Sequence, residues 1–166
     1  MQEKLKHSIL LGSIGGDSHS VGLYILKHAL ILNGYNVLYI GIQNKINDFY
    51  EVSNTVDAVL ISNMDGHAKY YLSSFPEYKQ KNTNKKTKWY LGGNPCLGDS
   101  NNSEITFLEM GFDRVFTRFI DIDVVLETIK KDLSCTPKLS HNLPNKIDDK
   151  IDHVIVQKIS VRKSWS

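Results

Sequence analysis

Short aliphatic runs alternate with longer helix-forming stretches along this chain, and that alternation restricts the fold more than any other feature. The runs are Ser8 to Ile14, Tyr35 to Gly41, Ala58 to Ser62, Lys88 to Gly93 and the weaker Arg114 to Phe116. Each is mostly aliphatic and is followed by small or polar residues. Strands covered on both faces read this way, because neither face meets water. Helix candidates lie between and after them, at 20–33, 47–55, 67–80, 103–110 and 122–133. The first is apolar nearly all round and stops at Asn33-Gly34, where glycine tolerates a left-handed end. The third contains Pro76, which predicts an end or a kink. The fourth runs from Ser103 as N-cap to Gly111 as stop. The fifth places Ile122, Val125, Leu126 and Ile129 on one face, with Lys130-Lys131 in its last turn. Successive βα units of this kind predict an α/β fold with a flavodoxin-like, doubly wound, five-stranded parallel sheet. A full dinucleotide fold wants a sixth strand.

Composition narrows the function classes. The 166 residues are 41% hydrophobic and 23% charged, the balance of a globular protein. The chain is too short to hold a cofactor domain and a separate substrate barrel, which alone takes about 250 residues. Lys plus Arg is 20 and Asp plus Glu is 18, a net charge of +2, so neither nucleic acid nor an anionic membrane is an expected partner. The lysine-rich stretch Lys79 to Lys88 lacks interleaved aromatics and reads as a solvated loop. Cys96 and Cys135 stand far apart with no CxxC pair, which points to a reducing, cytoplasmic setting. The N-terminus is too polar for a signal peptide, and no apolar run approaches the ~20 residues of a membrane span. Periodicity ends after Leu133. Residues 1–133 are therefore expected to form the domain, and 134–166 a C-terminal extension. Within it, 134–150 reads as a linker around Pro137 and Pro144, and 153–161 has strand propensity suited to an edge strand or a partner-docking segment.

Open α/β sheets bind ligands beyond the carboxyl ends of their strands. The loops to inspect are Gly15 to Gly22, Ser62 to His67 and Gly92 to Gly98. The first has three readings. A phosphate cradle lacks both GxGxxG and GxxxxGK[ST], and Asp17 would repel the anion. A phospho-acceptor receiver wants an Asp ending the third strand and a Lys after the fifth, where this chain has Ser62 and Arg118. A metal site uses Asp17 and His19, two residues apart, with the carboxylate orienting the imidazole. One His and one Asp are too few for zinc. They suffice if a macrocycle supplies the remaining ligands.

Asp17-Ser18-His19-Ser20-Val21-Gly22 fits the DxHxxG signature of cobalamin-binding domains. Ser62-Asn63-Met64 stands where such domains have Ser-x-Leu, and Gly92-Gly93 matches their glycine pair. From about Ser8 to Leu133 the chain resembles the small, cobalamin-binding subunit of glutamate mutase (methylaspartate mutase). Further matches are Gly34 to Val37, Ile40-Gly41, Gly92 to Asn94, Met110 to Val115 and Lys130 to Leu133.

The resemblance implies a cobalamin site of base-off, His-on type. His19 would be the lower axial ligand to cobalt, and Asp17 would accept a hydrogen bond from its other ring nitrogen. The displaced nucleotide tail would enter a crevice between the sheet and the first helix, passing Gly22, with Gly92 and Gly93 allowing close backbone approach. Ser62 would hydrogen-bond the benzimidazole. Gly16, Ser18, Ser20, Asn63 and Asn94 would line the corrin or the tail, and Met64 and Gly98 complete the cofactor-binding set. The resemblance further implies an isomerase subunit that is not catalytic alone. Adenosylcobalamin would start a radical rearrangement of glutamate to 3-methylaspartate by homolysis of its cobalt–carbon bond. The substrate would sit in a barrel supplied by a larger subunit of a hetero-oligomer. Other readings are a corrinoid carrier for methyl transfer and a diverged, non-catalytic cobalamin-binding module. Met64 replaces the usual Leu, residues 117–120 lack the family's Pro/Gly-containing loop, and the tail from Ser134 has no counterpart in the short mutase subunits. His67 reads as a solvent-exposed loop residue, His28 as a core or interface histidine, and Cys96 as a thiol with nothing beside it to activate it.

Overall fold

The structure, a computed structural model, describes residues 7–82, 86–98, 100–117 and 120–135. Five strands, β1 (Ser8–Ser13), β2 (Asn36–Tyr39), β3 (Ala58–Asn63), β4 (Lys88–Gly93) and β5 (Arg114–Thr117), pair in parallel in the order β2-β1-β3-β4-β5. This is the doubly wound order read from the sequence. The chain turns to opposite sides after β1 and β3, which makes their carboxyl ends the switch point of the sheet.

Side-chain alternation along the strands builds two apolar layers. Ile9 and Leu11 of β1, with Leu60 and Tyr90, pack against α1 (Val21–Leu32) and α6 (Ile122–Ser134) through Leu23, Leu30, Leu126, Ile129 and Leu133. Leu10, Val59, Ile61 and Leu91 face the other way, onto α2 (Ile46–Ser53), α3 (Ala68–Tyr71), α4 (Phe75–Lys81) and α5 (Ser100–Glu109), through Phe49, Leu72, Phe75 and Phe107. All six residues of β1 are buried, which explains the aliphatic run Ile9 to Leu11 at its centre.

Several expectations are corrected. The helix expected at 67–80 is two helices, α3 and α4. Pro76 lies in the first turn of α4, where its missing N–H has no carbonyl to lose, so it opens a helix instead of ending one. The fourth helix starts at Ser100, and Ser103 is buried within it instead of capping it. Gly111 does end that helix: at φ +111° its N–H donates to the Leu108 carbonyl, and Phe112 N–H returns to Phe107. The lysine stretch is not one loop, since Lys79 and Lys81 close α4 and Lys88 opens β4. The last helix extends to Ser134, capped at its start by Asp121, whose side chain accepts from Asp123 N–H. Arg118 and Phe119, residues 83–85, and the linker and strand expected within 136–166 lie outside the described residues.

The apolar first helix is only half used. Leu23 and Leu30 are buried against the sheet, whereas Val21 and Leu32 on the opposite side are 73% and 86% exposed. His28 shares that outer side and is exposed, so it is not a core histidine. His67 is exposed, as expected. No helix among the described residues is long and apolar enough to cross a membrane.

Candidate functional site

The stem of the loop after β1 is clamped before any functional group appears. Ile14 bridges Asn44, whose side-chain amide donates to the carbonyls of Ser13 (2.8 Å) and Gly41 (3.0 Å). The Ser13 hydroxyl donates to the Asp17 carbonyl at 3.0 Å and accepts from Gln43 N–H at 3.1 Å. On this stem Asp17 is 1% exposed. Burying a carboxylate is costly unless hydrogen bonds replace its water. Asp17 has three such contacts. Oδ1 accepts from the His19 main-chain N–H at 3.0 Å and stands 2.6 Å from His19 Nδ1. Oδ2 accepts from Met64 N–H, across on the β3 loop, at 2.9 Å.

This arrangement fixes the histidine. A carboxylate only accepts, so Nδ1 carries a proton toward Asp17 and the ring is turned with Nε2 outward. The His19 side chain is 66% exposed, and Nε2 has no hydrogen-bond partner among the described residues. The result is an oriented imidazole whose outward nitrogen is placed to meet a ligand. Among the described residues no group of three or more His, Cys, Asp and Glu is gathered to hold a metal, so His19 stands as a single donor.

The end of β3 carries Ser62 half-buried and Asn63 fully buried, and the loop after it begins with Met64, 37% exposed. Asn63 faces inward. Its amide donates to the Ile14 carbonyl (3.2 Å) and to Asp65 Oδ1 (2.8 Å), and its Oδ1 accepts from Gly66 N–H at 3.2 Å. Its main-chain carbonyl accepts from Asn94 N–H at 2.8 Å. Asn63 therefore joins the loops after β1, β3 and β4. Asp65 also accepts from His67 N–H (2.9 Å) and from the Tyr71 hydroxyl (3.2 Å). Desolvation works against ionisation of Asp65, but these donors, Asn63 and the nearby His67 outweigh it and hold its carboxyl below the usual range.

The loop after β4 closes against the same edge. Gly93 has φ +102°, and a Cβ there would strike the Asn63 carbonyl and come within 2.9 Å of Met64 Sδ. Farther along, Cys96 bridges His67, and Ala68 N–H donates to the Pro95 carbonyl at 3.2 Å.

Beside this edge a crevice of about 160 Å³ opens between the sheet and α1. Gly22, Ser62, Gly92 and Gly93 border it, with walls that include Leu23, Leu26, Tyr90, Phe116 and Val125. No atom lies within 4 Å of where a Cβ on Gly22 would project, and the nearest to one on Gly92 is Phe116, at 3.8 Å. Internal packing therefore does not require glycine at either position. Their missing side chains leave room in the crevice. Tyr90 is anchored at its floor: its hydroxyl donates to Asp132 at 3.3 Å, and Asp132 is held by Arg114 at 3.0 and 2.9 Å. Burial, reinforced by the Asp132 charge, pushes the Tyr90 phenol far above its ordinary pKa, so it stays protonated.

The structure thus brings Asp17, His19 and Met64 into contact at one edge and sets Gly22, Ser62, Gly92 and Gly93 around the adjoining crevice. Gly16, Ser18, Asn94 and Gly98 are exposed on the same loops, and Ser20 sits at the N-cap of α1 without a side-chain cap bond. Sequence reasoning missed the apolar walls, which look like ordinary core. It also missed Asp65 as the partner of His67, although the Asp-x-His spacing was there to be seen.

No protein-family model matches the chain. Glutamate mutase sigma subunit 1 of Haloarcula marismortui is 33% identical over 136 residues, which are 80% of this chain and 89% of that one. The glutamate mutase sigma subunit of Clostridium tetani is 31% identical over 133 residues, covering 78% of this chain and 97% of its own. About a fifth of this chain thus lies beyond either match. Among solved structures, a cobalamin-binding protein from Desulfitobacterium hafniense DCB-2 shares the fold at a TM-score of 0.55 and 19% identity, over 76% of this chain and 59% of that one.

Proposed function

Because the chain belongs to the glutamate mutase sigma subunit family, we propose that its carboxyl edge holds cobalamin, with His19 as the lower axial ligand to cobalt. Membership also makes the chain a subunit of an isomerase that is not catalytic alone. The observation that carries the reading is the pairing of His19 Nδ1 with the buried Asp17 carboxylate at 2.6 Å, which leaves Nε2 as a fixed donor.

Each residue has a physical task. Asp17 sets the tautomer and the ring plane of His19, and Met64 N–H holds Asp17 in turn. The space over Gly22 and Gly92 suits a flat group displaced from below the corrin, lying against Leu23, Leu26 and Phe116. Ser62 is the polar group on that crevice able to hydrogen-bond a ring nitrogen. Ser18, Ser20, Asn94 and Gly98 line the rim. When bound as adenosylcobalamin, the cofactor supplies a cobalt–carbon bond whose homolysis starts the radical rearrangement of glutamate to 3-methylaspartate. This chain positions the cofactor from one side. A larger, barrel-type subunit holds the substrate on the other, which suits a chain too short for both tasks.

The test is the visible spectrum of cobalamin titrated with the purified chain. Wild type shifts it from the base-on to the base-off, His-ligated form, and His19→Ala removes that shift. An unchanged base-on spectrum with the wild-type chain overturns the reading.

A further inference from the structure

No described residue covers the outer face of α1. Val21, Tyr24, Ile25, Ile31 and Leu32 are 73%, 51%, 57%, 48% and 86% exposed, and their spacing places them with His28 on one side of the helix. A helix that is apolar all round is normally buried on every side. Val124 of α6, the helix beside α1, adds another exposed apolar residue at 51%. Apart from His28 this stripe carries no titratable group except the Tyr24 phenol. Lys27 on its flank is drawn over the Tyr39 ring at 5.3 Å.

The sequence beyond the described domain contains an apolar segment. It leaves the described domain at Cys135, the C-cap of α6, with residues 136–166 still to come. About a fifth of the chain lies outside the matches to these relatives, which cover 89% and 97% of the relatives' own lengths. The apolar residues of the extension concentrate in Val154, Ile155, Val156, Ile159 and Val161. We propose that the segment 153–161 docks on the outer face of α1. The intervening residues 136–152 reach roughly 55 Å when extended, whereas a helix of twelve residues is about 18 Å long. Reach is therefore no obstacle. Tethering gives the segment a local concentration of the order of millimolar, which favours it over the same segment of a second molecule. Burying the two apolar surfaces in each other removes both from water.

Hydrogen–deuterium exchange on the full chain at low micromolar concentration tests this, with light scattering to report the mass. The amides of 153–161 are expected to exchange at least tenfold slower than in the free peptide of that sequence. Ile25→Asp, a change on the exposed face, is expected to abolish that protection while circular dichroism remains that of the wild type. Leu32→Asp serves as a second, independent variant. Exchange at the free-peptide rate overturns the proposal, as does protection that survives both variants. Protection that appears only as the mass rises to that of a dimer also overturns it, in favour of a second copy.

Discussion

After β1, Asp17 accepts from the main chain of His19 at 3.0 Å and contacts its ring nitrogen at 2.6 Å. After β3, Asp65 accepts from the main chain of His67 at a similar 2.9 Å, but the His67 ring nitrogen stands 3.6 Å away. The same Asp-x-His spacing produces the same turn at both strand ends and locks only one of the two histidines. The difference lies in the rest of each carboxylate. The Asp17 side chain is fully buried and its second oxygen is held by Met64 N–H from another loop. The Asp65 side chain is 24% exposed, and its second oxygen bonds Tyr71 a few residues along the same chain segment. Spacing sets the turn, and burial of the carboxylate decides whether the imidazole is pinned.

The sharpest way to break this comparison is to remove each ring in turn. His19→Ala is expected to abolish the base-off spectral shift on adding cobalamin, and His67→Ala to leave it intact. Equal losses would show that the two loops are equivalent. Next comes removal of the orienting charge. Asp17→Asn should weaken cobalamin binding by about 10–100-fold, the usual cost of losing such a second partner. Asp65→Asn should leave binding unchanged and lower stability by about 1 kcal/mol in denaturant unfolding. A smaller effect separates the site from the scaffold. Gly22→Ala should raise the stability of the free chain by about 0.5 kcal/mol, because a helical glycine gives way to alanine in open space. The same change should weaken cobalamin binding by narrowing the crevice.

The smallest effect is a pH dependence. The carboxyl of Asp65 is held below its usual range, so its contribution to stability is present above the unfolded pKa near ~3.9 and fades as pH falls through the lower, folded value. Asp65→Asn should therefore lose less stability than wild type on acidification below about pH 4, measured by chemical unfolding at a series of pH values.

The sheet and the loops that bear the site were legible because strands buried on both faces are mostly aliphatic, with polar residues gathered at their ends. Ser8 to Ile14 or Ala58 to Ser62 could hardly be anything else. The split between α3 and α4 was not legible. A proline that opens a helix and a proline that ends one look alike in sequence, and Pro76 is of the first kind. The pinning of His19 was legible as a spacing, but the 2.9 Å bond from Met64 that buries its carboxylate joins residues 47 apart and leaves no local trace. Asn63 looked like a polar group for a ligand and instead faces the interior. Leu23 and Tyr90 are core residues that, with Leu26, also wall a crevice, and nothing in the sequence marks that second task. His28 proved not to be a core residue for a related reason. Composition shows that α1 is apolar on every side, but not which side the sheet takes.

Gly93, seated under the Asn63 carbonyl and the Met64 sulfur, has an evolutionary consequence. Any side chain at 93 collides with the β3 loop. The obstacle is main chain, so no exchange of side chain at 63 or 64 makes room at 93. Position 64 is free to exchange Leu for Met while 93 stays glycine, and a side chain placed at 93 should cost the fold whatever stands at 64.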